Sequence, residues 1–309
     1  MSTRRSLLCI FMMITIAAVL HAAASGIFSM RGSVLLFADR GYGLQVVTPS
    51  GSQDMQLPVK IPVNYGDFKF PSLAPDGERV AWGFAVARNP SGQASPRFVL
   101  GIRSPAQQEW KTFGHFQEIG ATAFSPDGSR VAFVSEQEDR KSALAILDLS
   151  TGAIATLSHP SAVAMSASLS WSPTGTQMAV EVQHGNQPSD IAIVDVKTEN
   201  VKVIGKGVDP VWSPTGEWIA YSDEAREKCN LVRPDGTETK TVRNLGRIFG
   251  YRMFASGVVW SPDGKQLLLN EMKGEGPKID VMLLDLASGE VKRKSRNGLP
   301  VFGWVRVKH

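Results

Sequence analysis

One turn is written into this chain five times. The segment Phe124-Ser125-Pro126-Asp127-Gly128-Ser129-Arg130-Val131-Ala132-Phe133 recurs with variations around Pro75, Pro173, Pro214 and Pro262, at spacings of 51, 47, 41 and 48 residues. In each copy an apolar run ends on a large residue, Leu73, Phe124, Trp171, Trp212 or Trp260. Ser or Ala, then Pro, then Asp or Thr, then Gly follow, and a second short apolar run begins two residues later. Pro presets φ at the first corner of a tight turn. Asp76, Asp127 and Asp263, or Thr174 and Thr215, bond local backbone, and Gly77, Gly128, Gly175, Gly216 and Gly264 supply the positive φ that closes it. The flanking runs are short and rich in β-branched and aromatic residues, so they read as strands. A hairpin repeated at this period is blade-sized for a β-propeller.

A second hairpin follows in several copies, as in the runs 143–157, 191–204 and 279–291, so each unit holds four antiparallel strands, a to d. The ends supply the remaining blade. Ser33 to Ala38, Gly43 to Gly51 and Met55 to Val59 read as strands b, c and d without a strand a. Near the C-terminus, Pro300-Val301-Phe302 aligns with Pro210-Val211-Trp212 and provides a strand a with nothing after it. Joining the ends hides the open edges. The expectation is an all-β single six-bladed β-propeller of four-stranded antiparallel blades, closed by pairing the C-terminal strand with the N-terminal blade.

The recurring Ser-Pro-Asp-Gly turn followed by a short apolar strand resembles the WD-like repeat of the bacterial TolB propeller family, which is shared by propellers of the prolyl oligopeptidase family. The resemblance covers residues 29–309. It implies the fold far more than an activity, because propellers host binding, scaffolding and catalysis alike. TolB itself carries an α/β domain ahead of its propeller, whereas only 28 residues precede this one.

Those first residues have their own signature. Arg4 and Arg5 precede the apolar run Leu7 to Leu20, and Ala22-Ala23-Ala24 offers a small-residue cleavage site, which describes a secretory signal peptide over residues 1–24. The competing reading is an uncleaved anchor over residues 7–24, near the lower length limit for a spanning helix. Either way the propeller is expected to be exported, periplasmic or extracellular, and monomeric. Removing Arg4 and Arg5 from the formal charge of +4 leaves +2, which gives no argument for nucleic acid. Cys9 lies in the leader, so Cys229 is left without an intramolecular partner and reads as a small buried apolar residue.

Catalytic signatures are sparse. There is no Gly-X-Ser-X-Gly elbow, no Cys-X-X-Cys pair, no His-Glu-X-X-His and no phosphate-cradling Gly-rich loop. No cofactor is expected. His115, His159 and His184 fall in loops expected on one face, which leaves a metal-dependent lyase or hydrolase as one alternative. The primary reading is a non-enzymatic interaction module, and another alternative is a small-ligand or carbohydrate-binding propeller. The candidate contact face lies opposite the Ser-Pro-Asp-Gly turns. There Arg247, Tyr251 and Arg252, with Glu271 from a neighbouring loop, combine arginine and aromatic groups of the kind enriched at interfaces. Trp82, Trp171, Trp212, Trp218 and Trp260 are expected as wedges between blades, Trp110 as partly exposed, and the insertion Ala87 to Arg97 as a polar loop.

Overall fold

Turn chemistry sets the strand boundaries, and burial between neighbouring sheets sets their arrangement. The computed structural model describes residues 33–38, 43–48, 51–56, 71–87, 97–104, 107, 109–136, 141–159, 163–165, 168–244, 258–272, 279–298 and 301–306. These form 24 strands and, among the described residues, no helix.

The strands assemble into six four-stranded antiparallel sheets. The first holds β1 (Ser33–Ala38), β2 (Gly43–Thr48) and β3 (Gly51–Gln56), with β24 (Val301–Arg306) on its inner side. The second holds β4 (Ser72–Leu73), β5 (Val80–Ala87), β6 (Arg97–Arg103) and β7 (Lys111–Phe116); the third, β8 (Glu118–Phe124), β9 (Arg130–Glu136), β10 (Ser142–Asp148) and β11 (Ile154–Thr156). The fourth holds β12 (Ser170–Trp171), β13 (Gln177–His184), β14 (Gln187–Asp195) and β15 (Val201–Lys206); the fifth, β16 (Val208–Trp212), β17 (Ile219–Ser222), β18 (Lys228–Val232) and β19 (Thr239–Asn244). The sixth holds β20 (Val258–Trp260), β21 (Gln266–Met272), β22 (Ile279–Asp285) and β23 (Val291–Gly298). Inner strands touch in the cyclic order β4, β8, β12, β16, β20, β24 and back to β4, so the ring is closed.

Closure runs through the pairing of the two chain ends, with Val34 opposite Val305 and Leu35 opposite Trp304. This corrects the alignment of Phe302 with Trp212. Trp212 lies opposite Ile219 at the start of its strand b, and the residue in the matching place on β24 is Trp304. The pairing carries a register shift between Leu36 and Phe37.

The core is distributed over the seams. Ala132, Val134, Leu144 and Ile146 of the third sheet form one apolar cluster with Met178, Val180, Ala192 and Val194 of the fourth. Ile191, Ile193 and Ile204 of the fourth pack with Trp212, Ile219 and Tyr221 of the fifth. Sheets therefore stabilise one another by burying apolar surface on both faces, worth about 25 cal/mol per Å² removed from water.

One tryptophan departs from expectation. Trp110 is buried, its ring centroid 6.2 Å from that of Trp82 and 5.5 Å from that of Phe84. Gly101 makes room for it, since a Cβ there would stand 2.8 Å from Trp110 and collide with Phe84. Trp218 is half-buried and packs against the apolar cluster shared by the fifth and sixth sheets, its ring also covered by Arg233 at 4.0 Å and Lys240 at 4.2 Å. The insertion joins β5 to β6 as expected, though residues 88–96 lie outside the described ones.

Candidate functional site: the axial well and the opposite loop face

The five turns have one geometry. Each Gly N–H donates to the carbonyl three residues earlier, from Gly77 to Ala74 through Gly264 to Ser261, at 2.8 to 3.0 Å. The five glycines have φ of 68 to 80°. The middle residue braces the turn. Asp127 Oδ1 accepts from the Ser125 hydroxyl at 2.5 Å and from Ser129 N–H at 3.0 Å. Those bonds hold its carboxyl down at about 2. Thr174 and Thr215 replace that contact by hydroxyl pairing with Ser172 at 3.0 Å and Ser213 at 3.1 Å. The interchange of Asp and Thr identifies these positions as turn braces.

The large residues before the turns stand in the seams. Trp171 Nε1 donates to Ala123 O at 3.0 Å and Trp260 Nε1 to Val211 O at 2.9 Å, each reaching the preceding blade. Arg130 lies 4.7 Å over the Trp171 ring, and its Nη2 donates to Gly175 O at 2.9 Å.

Inside this ring of inner strands runs a well of about 540 Å³. Pro75, Pro126, Pro173, Pro214 and Pro262 rim it on the turn face, half-exposed or exposed, while its far end reaches buried Pro71, Ser168 and Leu169. All six sheets contribute to the wall, and among the described residues none that lines it is ionisable. Composition alone does not signal this well, because its walls come from segments about a blade apart in the chain.

The loop face opposite the turns is charged. Lys206 Nζ and His184 Nε2 meet Asp190 at 2.5 and 2.9 Å, which lowers the Asp190 carboxyl, Lys206 contributing most. Glu181 Oε1 accepts from the Ser189 hydroxyl at 3.0 Å, and its Oε2 accepts from Asp209 N–H at 3.4 Å across the seam. Arg226 pairs with Asp209, both residues holding left-handed φ of 57 and 56°. Glu271 is likewise buried and paired, accepting from Arg243 Nε and Nη2 at 3.2 and 3.1 Å. Arg247, Tyr251 and Arg252 lie outside the described residues.

The histidines take separate tasks. His115 sits exposed on β7, His159 donates its backbone N–H to Glu199 at 3.3 Å, and His184 is bound to Asp190. Among the described residues no three metal-capable side chains gather into one group. Cys229 is buried, and burial pushes its thiol up to about 12.

Known proteins align with this architecture. The model of the TolB β-propeller domain matches residues 42–294. A Protein TolB homolog from Chlorobium luteolum is 27% identical over 168 residues, covering 53% of this chain and 36% of that protein. An uncharacterized peptidase, YuxL, from Bacillus subtilis is 28% identical over 120 residues, covering 36% of this chain and 18% of that one. The chain thus spans well under two thirds of either relative. Among solved structures, putative TolB from Agrobacterium tumefaciens superposes with a TM-score of 0.61 at 20% identity, covering 85% of this chain and 88% of that one. TolB from Acinetobacter baumannii gives 0.56 at 19%, covering 89% and 71%. A chain of a nidogen/laminin complex gives 0.59 at 14%, covering 89% and 98%, and at these identities the likeness is one of fold. With the family model matching most of its length, the chain belongs to the TolB β-propeller domain family.

Proposed function

We propose that this chain is an exported, non-enzymatic interaction module, its propeller over residues 29–309 acting as a monomer after removal of a leader over residues 1–24. It engages a protein partner through the loop face opposite the Ser-Pro-Asp-Gly turns. One observation carries the reading. On the described part of that face and its adjoining outer strands, cationic side chains are fastened to carboxylates that solvent barely reaches. Lys206, Arg226, Arg243 and Arg293 are 65, 36, 31 and 47% exposed, while Asp190, Asp209, Glu271 and Asp280 beneath them are 10, 0, 6 and 4% exposed. Long side chains held in place this way lose less entropy on meeting a partner, so they suit contact surfaces.

Arg247, Tyr251 and Arg252 follow β19 in the chain, directly after Arg243 and its bond to Glu271. The reading assigns them to the centre of the contact. Its test is crosslinking in the native host followed by affinity capture, comparing the natural chain with a triple Arg247→Ala, Tyr251→Ala, Arg252→Ala variant. A specific protein recovered with the natural chain and lost with the variant, at an unchanged melting temperature, supports the assignment. Equal recovery by both, or no specific protein, overturns it.

A further inference from the structure

The axial well opens on the turn face, away from the surface assigned above to a protein partner. One residue from each inner strand precedes the large seam residue: Ser72, Ala123, Ser170, Val211, Val259 and Gly303 all line it. In ring order the hydroxyls of Ser72 and Ser170 fall on the arc of the second to fourth blades. Val211, Val259 and Gly303 make the other arc. At this level of the wall Ser72 and Ser170 are polar and Val211 and Val259 apolar, while nearer the turns Ser213 and Ser261 also line it.

Ser72 and Ser170 retain hydrogen-bonding capacity. Ser72 Oγ accepts from the Thr122 hydroxyl at 3.1 Å and Ser170 Oγ accepts from Trp212 N–H at 2.8 Å. A hydroxyl that accepts still carries its own O–H, so each serine has a donor to offer an oxygen in the well. Trp171, Trp212 and Trp260 are only 6, 7 and 5% exposed, so their faces are spent in the seams, and Trp304 is the half-buried indole of the lining. An ionised group entering would surrender water and meet no counter-charge among the described lining residues, an exchange strongly against binding. The volume of about 540 Å³ falls within the range of small-molecule sites.

We propose that the axial well binds a small uncharged amphipathic molecule, with hydroxyl or carbonyl oxygens toward Ser72 and Ser170 and apolar surface toward Val211 and Val259. Phenyl β-D-glucoside and phenyl β-D-glucuronide share a shape and differ by one carboxylate, which makes them a matched pair of probes. Each is titrated into the full chain by calorimetry, with tryptophan fluorescence as a second signal because Trp171, Trp212, Trp260 and Trp304 line the well.

The expected result is saturable one-site binding of the glucoside, with the glucuronide weaker by about tenfold or more because its carboxylate must be desolvated. Ser72→Ala, which leaves Thr122 its second acceptor at Ala81 O, weakens the glucoside by about fivefold at an unchanged melting temperature. Ser170→Ala also strips Trp212 N–H of its acceptor, so its melting temperature is read alongside. Absence of saturable glucoside binding, equal affinity for the two probes, or natural affinity in the Ser72→Ala chain overturns the proposal.

Discussion

The indole nitrogen of Trp171 donates to the carbonyl of Ala123, 48 residues earlier and one blade away, at 3.0 Å. A residue that marks the end of an apolar run in sequence thus ties two sheets together at the innermost strand. Trp171→Phe keeps most of the buried ring but removes this hydrogen bond between blades, with an expected loss of about 0.5–1.5 kcal/mol. Trp212 donates within its own turn, to Gly216 O at 3.5 Å, so Trp212→Phe is expected to cost less. Denaturant unfolding of the two variants side by side checks the order.

Glycine substitutions separate two kinds of constraint. Gly128→Ala places a side chain at φ of 68°, expected to cost about 1 kcal/mol. Gly101→Ala forces a Cβ against Phe84 and Trp110 inside the second blade, expected to cost about 1–3 kcal/mol through overpacking. Thermal melting of both variants tests the ranking.

Acid should weaken the fold through its turns. Asp127 and Asp148 titrate at about 2 in the folded chain, held down chiefly by hydroxyl donors from Ser125 and Ser150. Their folded values lie below the unfolded ones, so this stability is complete above about pH 4 and disappears as pH falls through about 2. The melting temperature is expected to fall across that window, and less steeply in Asp127→Asn. Equal slopes for the two chains would count against the turn brace as the cause.

Cys229 should be chemically silent in the native chain, being buried with its thiol pushed up to about 12. Alkylation with iodoacetamide at pH 8, followed by peptide mapping, is expected to leave Cys229 unmodified until denaturant is added.

Removing Arg226 strands a carboxylate that is fully enclosed, that of Asp209. Arg226→Ala is expected to cost about 3–5 kcal/mol, the range for breaking a buried pair. Glu238→Ala breaks an exposed pair with Arg233 while leaving Arg233 over Trp218, and is expected to cost under about 1 kcal/mol. Equilibrium unfolding of the two variants distinguishes a structural charge from a solvated one.

The turns are legible in the sequence because φ is a local property. Pro126 and Gly128 dictate a hairpin wherever they stand, and their repetition dictates a ring. The positions of Trp110 and Trp304 were not legible, because burial and register depend on partners such as Trp82 and Leu35 that sequence spacing does not align. Glu271 was readable as a charged loop residue but not as a buried acceptor for Arg243, 28 residues away.

By itself, then, the sequence determined the repeated hairpins, the four-stranded unit and the joining of the two ends, since short-range dihedral preferences and apolar periodicity carry all three. Only the tertiary structure decided which charges pair across the seams and that the axis encloses a well whose described wall carries no charge. Both depend on residues distant in the chain, 48 apart for Trp171 and Ala123 and 28 for Asp209 and Glu181, being brought within hydrogen-bonding distance, and the packing of adjacent sheets around the axis accomplishes that.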